Sequence, residues 1–562
     1  MPGKLEGIDF AVLVAYLGGT LALGLYFGRR ITTGKDYFLA GRSLPWWVIG
    51  MSLVASDIGG TDIIGVGGAA YSYGLAVGNF EWIGCVPAML IGAFVFIPFF
   101  WRTGVYTIPE FMERRYNAAV RTALALCWLG FMACNLGIML FASAKMMDTL
   151  LGIKLANPEY QILAYIVLTA ALVGIYTMAG GLAAVVYTDT IQCVVMIAGC
   201  SLVVVMGISD FGGIGPLREA VREQEMLLRQ QRIAQQQVES AKGDPRSAKQ
   251  NTHEGHLPEN AHSQQIEHTR LILPVDTSSP FPWSGILFGL AMILSPAYWF
   301  GNQAIVQRSL GAKSEFHAKA AYVWGALLKN LIPVIIVVPG VIAFAKFPHL
   351  KDADTAFPVL AAELLPAGLR GLFLAAFMAA LMSSVDSYLN SAATIVTHDF
   401  YKRFLRPDVS DKRLLFVGRI TTGALIAWAI GFASVISRLE GSGIYTIFQT
   451  LMAFFQGPAL AILLCGVLWK RATGIGAFVG FVSGVAFSVT LFTLNQEAVY
   501  TALGTKPLFQ IADPFLYFSV WAFLVSMTLI LVVSLCTKPE PEEKIQGLVY
   551  RARDPVHESP GP

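Results

Sequence analysis

Apolar stretches about as long as a bilayer is thick recur thirteen times along this 562-residue chain, at 9–28, 46–71, 77–101, 121–149, 161–179, 184–209, 283–306, 319–346, 367–398, 414–437, 444–468, 473–494 and 514–536. A helix needs about 20 apolar residues to cross the hydrocarbon core. Backbone amides at that depth must be satisfied within the segment, which selects helix over any open sheet. The chain is therefore predicted to be an all-α polytopic membrane protein of about 13 transmembrane helices. Its composition agrees: 14% of residues are charged and 55% hydrophobic, against about 25% charged in soluble domains.

Lys and Arg set the expected orientation, because short cytoplasmic loops carry their excess. Alternate short loops hold Arg29, Arg30, Lys35 and Arg42, then Arg102, Arg114, Arg115 and Arg121, then Arg308, Lys313 and Lys319, then Lys402, Arg403, Arg406, Lys412 and Arg413, then Lys470 and Arg471. The opposite loops hold scattered single charges such as Lys154, Lys351 and Lys506. Thirteen spans then put the N-terminus outside and the C-terminus in the cytoplasm, in a cell or plasma membrane. Lys4, followed by Glu6 and Asp9, does not read as a signal peptide.

One long polar insert, at about 210–282, falls outside on this scheme. Leu217 to Val238 reads as a Gln/Arg/Glu-rich helix, and His253, His256, His262 and His268 are expected in a solvated loop rather than a metal site. The tail from about Lys538 is expected to be solvated. The seven Cys all lie in apolar stretches, without disulfide or metal spacing, and read as small buried hydrophobes. No nucleophile–base pair, metal motif or phosphate-binding loop is evident, so the chain does not read as an enzyme. Nothing points to nucleic acid or to an obligate protein partner. Membrane lipid is its surrounding.

Two spans are irregular in a way lipid does not tolerate without a cavity. The second carries Ser56-Asp57-Ile58-Gly59-Gly60-Thr61-Asp62 at its centre. A carboxylate at the midplane is expensive unless paired or hydrated, and Gly-Gly weakens the helix. Packing glycines with a structural salt bridge remain an alternative to an unwound binding site. The seventh carries Ser295-Pro296 followed by Tyr298, Trp299, Gly301, Asn302 and Gln303. A proline there removes a helix hydrogen bond, so the break is expected at that point. Breaks five spans apart are the layout of an inverted repeat of five plus five helices. That divides the chain into 1–45 (an extra N-terminal helix), 46–209 (first repeat), 210–282 (the insert), 283–468 (second repeat), 469–536 (extra helices) and 537–562 (the tail).

Further intramembrane ionisable groups are Glu81 near the outer end of span three and Lys329 in mid-span eight. Solute contact and mutual pairing are both open to them. In span nine Ala380, Ser383, Ser384 and Ser387 share one face at helical spacing. Hydroxyls and freed carbonyls are hard oxygen ligands suited to an alkali cation, although small residues also serve helix packing. Asp189, at the inner end of span six, and Asp386 are both expected inward of Ser383, as a second cation site or an exit path.

At these residues the chain resembles the sodium/solute symporter family, closest in pattern to its sodium/glucose branch. The resemblance rests on Ala40-Gly41-Arg42-Ser43-Leu44, on Gly180-Gly181-Leu182-Ala183-Ala184-Val185 with Thr188-Asp189 and Gln192, and on Tyr298-Trp299 with Asn302-Gln303 and Gln307-Arg308. Ser383-Ser384 with Leu389-Asn390-Ser391, and Trp469-Lys470-Arg471-Ala472-Thr473 with Gly476-Ala477, complete it. It implies a LeuT-type fold, alternating access, sodium ions as coupling ions, and a small hydrophilic solute. By resemblance, sodium maps to Ala55, Ile58, Ala380, Ser383 and Ser384, and a further sodium of some members to Asp189, Ser384 and Ser387. Asp386 stands where a small or hydroxylic residue is common. Solute positions carried over are Glu81, Tyr298, Trp299, Lys329 and Gln449. The chain departs at Asp57, Asp62 and Ser295, where sugar carriers have Asn, Gln or His, and Asn. A sugar or polyol is the expected solute. An amino acid or monocarboxylate, a proton-coupled carrier, and a non-transporting sensor or channel are the alternatives.

Overall fold

The computed structural model describes residues 5–28, 34–151, 160–242, 267–277, 279–438, 444–509 and 514–550. Nine helices in it are long and apolar enough to cross a membrane, three more apolar helices are bent pairs, and Gln161–Gly174 is a shorter apolar helix. Together they match the thirteen expected spans, numbered 1 to 13 here in chain order.

Three features of that register differ from expectation. Spans 5 and 6 are joined without a loop, because helical backbone runs unbroken over Gln161–Asp210. The apolar stretch is there interrupted by small residues that remain helical. Span 7 does not break at Ser295-Pro296. Pro296 sits in the first turn of the helix Ser295–Gly301, after a π-helical run Gly285–Leu294, and the first turn is where a missing N–H is tolerated. The break falls instead at Asn302, which is extended (φ −75°, ψ 120°) and caps the next helix, its side chain accepting from Ala304 N at 2.9 Å. Span 11 carries an unexpected break, a 41° bend between Ile447–Ala453 and Gln456–Leu468, with Gly457-Pro458 in the first turn after it.

Span 2 breaks where expected. Helix Trp46–Asp57 ends at Ile58, which is extended, and the chain resumes at Asp62–Gly78 with a bend of 59°. We call its halves 2a and 2b. The halves of span 7, Gly285–Gly301 and Gln303–Leu310, meet at 49° and are called 7a and 7b.

Burial separates scaffold from periphery. In span 9, Leu369–Leu405, 94% of the most apolar window is buried inside the protein, against 17% in span 1 and 22% in span 10. A span with no lipid contact can carry hydroxyls and carboxylates on its faces, and span 9 does so. It packs against spans 2a, 4 and 6.

One end of the helix bundle is tied by residues of the sequence motifs. Buried Arg115 donates to the carbonyls of Gly466, Trp469 and Ala472 at 2.8–3.1 Å, closing the end of span 11. Gln307 donates to Phe38 O and Thr394 Oγ1 and accepts from Ser391. These motif residues hold the fold.

Two polar segments expected to be solvated are not wholly so. The insert begins with the helix Ile214–Lys242 and returns as a strap across the end of 2b. Leu75 N donates to His268 O at 2.8 Å, and Asn79 donates to Leu271 O at 2.6 Å. His268 is buried and stacked on Phe344. The other three insert histidines lie outside the described residues. The tail folds back: Glu540 accepts from Gly474 N, Lys544 reaches Tyr116 O, and Ile545 and Val549 are buried. Alternating apolar residues give this stretch something to bury despite its charge. All seven cysteines are free. Cys193, Cys200 and Cys465 are buried as expected, but Cys536 is exposed on the protein surface.

Candidate functional site

The break in span 2 is built by its own side chains. Gly59 N–H, which a continuing helix would give to the Ala55 carbonyl, goes instead to Asp62 Oδ2 at 2.9 Å. Gly59 O accepts from Asp62 N and Ile63 N, starting 2b. The carbonyls at the end of 2a are thus released from the helix ladder, at the negative pole of its dipole.

Span 9 faces this break with its hydroxyls. Ser384 donates to Ser56 O at 3.0 Å, and Ser383 Oγ lies 3.4 Å from Ser56 Oγ. A side chain at Gly59 would meet Ser384 Oγ at 2.7 Å, so the two spans touch here. Ala55, Ile58, Ala380, Ser383 and Ser384 are all buried. Helix-end carbonyls and two hydroxyls, with no nitrogen or sulfur, are the donor set of a hard monovalent cation. The five residues singled out for sodium fit that ion.

A cavity lies beside the break. Asp57, Asp62, Glu81, Ser295, Tyr298, Trp299 and Gln449 line it, and so do Tyr445, Phe448 and Gln456. Seven of the eight residues expected to meet solute therefore share one space. Lys329, the eighth, stands behind the wall. It is fully buried, ion-pairs with Asp57 and with Glu81 Oε2 (2.7 Å), and lies 5.6 Å from the Trp299 ring centroid. The mutual pairing left open by the sequence is present: Lys329 binds two carboxylates to each other. Asp57, Glu81 and Cys85 cluster closely enough for a metal ion, but the ammonium between the two carboxylates supplies their cation. Tyr298 Oη lies 3.3 Å from Tyr388 Oη.

A second polar layer joins spans 2a, 6, 7b and 9. Asp189 Oδ2 accepts from Ser52 at 2.5 Å and from Ser56 at 3.1 Å, and lies 3.4 Å from Arg308 Nη2. Arg308 also donates to Ser52, Ser56 and Ser387, and Ser387 donates to Asp386 Oδ1 at 3.2 Å. Asp189, Asp386, Ser387 and Arg308 are all buried. The structure thus brings together the three residues singled out for a second cation or exit path, and adds a guanidinium among them.

Sequence reasoning gave no role to Arg308, Ser52, Ser56, Tyr445 or Phe448. Ser52 and Ser56 carried a signal, since they stand four apart on the last turns before the Gly-Gly break. Arg308 looked like an inner-loop charge because it ends an apolar stretch.

The sodium:solute symporter family profile matches residues 37–484. The chain is 33% identical over 537 residues to a sodium/glucose cotransporter of Vibrio parahaemolyticus, covering 89% of each. It is 32% identical over 578 residues to sodium/myo-inositol cotransporter 2 of Oryctolagus cuniculus, covering 98% of this chain and 80% of the relative. In fold it is similar to a Na+-coupled sialic acid symporter solved in a substrate-bound, outward-open state, with a TM-score of 0.71 and 21% identity over 95% of this chain and 99% of that one. A profile spanning most of the chain, relatives aligned nearly end to end, and broken helices five spans apart around a polar cavity lead to one conclusion: this LeuT-type membrane protein belongs to the sodium:solute symporter family.

Proposed function

We propose that the chain imports a sugar or polyol together with sodium, by alternating access. The observation that carries this reading is the adjacency of two sites on one break: cation-suited oxygens of spans 2a and 9 on one side, and the cavity of Asp57, Asp62, Glu81, Trp299 and Gln449 on the other. Carboxylates accept from hydroxyls, amides both accept from them and donate to them, and aromatic rings pack against the apolar face of a sugar ring. Relatives named for glucose and myo-inositol support the solute class.

In this reading sodium binds at Ala55, Ile58, Ala380, Ser383 and Ser384. It ties span 2a to span 9, fixes the broken helix and raises affinity for solute, and solute raises affinity for sodium by the same factor. Spans 2–6 and 7–11 form the two repeats that rock about the site, with Asp189, Asp386 and Ser387 on the ion's inward path. The Lys/Arg bias supports an outside N-terminus in a cell membrane. One charge crossing 100 mV releases ~2.3 kcal/mol, and a tenfold sodium gradient adds ~1.4 kcal/mol. One sodium thus sustains roughly several-hundred-fold accumulation.

The test is uptake of radiolabelled hexoses, myo-inositol, proline and pyruvate into proteoliposomes, with an inward sodium gradient against potassium. Sodium-driven uptake of a sugar or polyol that Ser383→Ala abolishes is expected. Uptake of proline or pyruvate alone overturns the solute class, and uptake driven by pH without sodium overturns the ion site.

A further inference from the structure

We infer that the solute is a polyol bearing one protonated amine, an amino sugar or aminocyclitol whose ammonium group sits at Asp62; this rests on the sugar or polyol reading above. Asp57, Asp62 and Glu81 stand around one cavity, and Lys329 is the single cation against them. Among the described residues no Lys, Arg or His lines the cavity. Arg308, a second cation buried among the spans, is bound to Asp189, Ser52, Ser56 and Ser387 in the second layer. Three carboxylates facing one ammonium leave a formal surplus of two negative charges, in a place where an uncompensated charge is expensive.

Lys329 is shared between Asp57 and Glu81. Among the described residues no ammonium pairs with Asp62. Its Oδ2 accepts from the Gly59 amide at 2.9 Å. Its Oδ2 and Ser384 Oγ both lie within 4 Å of the point a Gly59 side chain would occupy, so the carboxylate stands beside the proposed sodium. That ion reduces the surplus to one negative charge. A neutral sugar leaves it there, and a monocarboxylate doubles it. A monocation cancels it, and a desolvated charge pair strongly discriminates between the three.

The walls suit such a ligand. Lys329 already occupies the Trp299 face, while the Tyr445 and Phe448 rings also line the cavity and attract an ammonium through their faces. Ser295 and Gln449 line it with donors and acceptors for hydroxyls. Asp57 and Asp62, two of the three positions where the chain departs from the sugar-carrier pattern, are two of the three acids. The competing counter-charge is a proton on Asp62, which would let the site carry neutral polyols.

The experiment measures sodium-driven uptake of matched pairs into proteoliposomes: D-glucosamine against D-glucose and N-acetyl-D-glucosamine, and an aminodeoxy-inositol against myo-inositol. Sodium-dependent binding is measured in parallel by calorimetry in detergent, so that a variant that binds but cannot cycle still reports. The amine of each pair is expected to be preferred at least about tenfold, and to carry two charges per solute rather than one. Asp62→Asn is expected to shrink the preference to within about threefold, and Asp62→Glu to keep it. If neutral members are carried with sodium as well as the amines, this inference falls and the sugar reading stands. Persistence of the tenfold preference in Asp62→Asn also overturns it. Should no member of either pair be taken up or bound with sodium, the parent reading fails and takes this one with it. The wild-type ratio decides the matter even if Asp62→Asn does not fold.

Discussion

Arg308 Nη2 lies 3.4 Å from Asp189 Oδ2, with both side chains buried and Ser52 and Ser56 bridging them from span 2a. The pair fastens the second broken helix to span 6 and to the first. Breaking a buried pair by removing one partner costs about 3–5 kcal/mol, because the other charge stays buried. Arg308→Gln is therefore expected to lower the detergent melting temperature sharply and reduce yield. Arg308→Gln combined with Asp189→Asn, which removes both charges, should recover much of the loss. If the double variant is no better than the single one, charge balance is not what Arg308 supplies.

Lys329 holds Asp57 and Glu81 together, so removing it turns an ordered cavity wall into two repelling carboxylates. Lys329→Met is predicted to weaken solute binding about a hundredfold, ~3 kcal/mol. Asp57→Asn should be milder, since Glu81 still holds the ammonium. Solute affinity at saturating sodium checks the order. Equal losses in both variants would mean that Asp57 meets solute directly.

At the proposed cation site Ser384→Ala removes one oxygen and is expected to raise the half-saturating sodium concentration about tenfold, ~1.4 kcal/mol. Gly59→Ala acts through the same atom, because its new Cβ falls 2.7 Å from Ser384 Oγ. It should raise the sodium requirement in the same way with every ligand residue intact. Sodium titration of uptake reads both variants, and an unshifted curve in Ser384→Ala places the ion elsewhere.

Gly74 stands under the strap of the insert with φ +75°, and a Cβ there would lie 2.2 Å from His268 Cα. Only glycine is at ease with that backbone and that approach. Gly74→Ala should detach the strap from the end of 2b. Hydrogen exchange at Leu75, whose amide donates to His268 O, is expected to speed up while the end of the bundle closed by Arg115 stays protected.

Outside the spans, Glu113 sits among arginines. Partial burial pushes its carboxyl up, but hydrogen bonds from Arg403 and Arg121 and their charges outweigh this and hold it below the usual carboxylate range. A depressed folded-state value means that its contribution is present above the ordinary pKa of about 4.3 and is lost as pH falls through the folded value. Glu113→Gln should thus be less stable than wild type from pH 5 to 8, with the gap closing under stronger acid. A gap that widens on acidification would contradict the assignment.

Much of this protein was legible in the chain because a bilayer forces local solutions. Apolar length fixed the number of spans, since each must satisfy its own amides. The Gly-Gly pair marked the break in span 2, since freed carbonyls at that depth need a cavity. Ser383 and Ser384 followed from helical spacing in a span that has no lipid face. Pro296 misled for an equally local reason: a π-helical turn places it where no amide is missed, and Asn302 makes the break.

The sequence by itself determined the helices, their order and the residue types of both sites. Only the tertiary structure decided how the charges are shared. No spacing rule relates Lys329 to Asp57 and Glu81, or Arg308 to Asp189, since the partners stand 272 residues apart in Lys329–Asp57 and 119 apart in Arg308–Asp189. Inside a membrane that pairing sets the energy of every carboxylate. It makes Asp57 and Glu81 part of the wall and leaves Asp62 facing the cavity with no cation paired to it among the described residues.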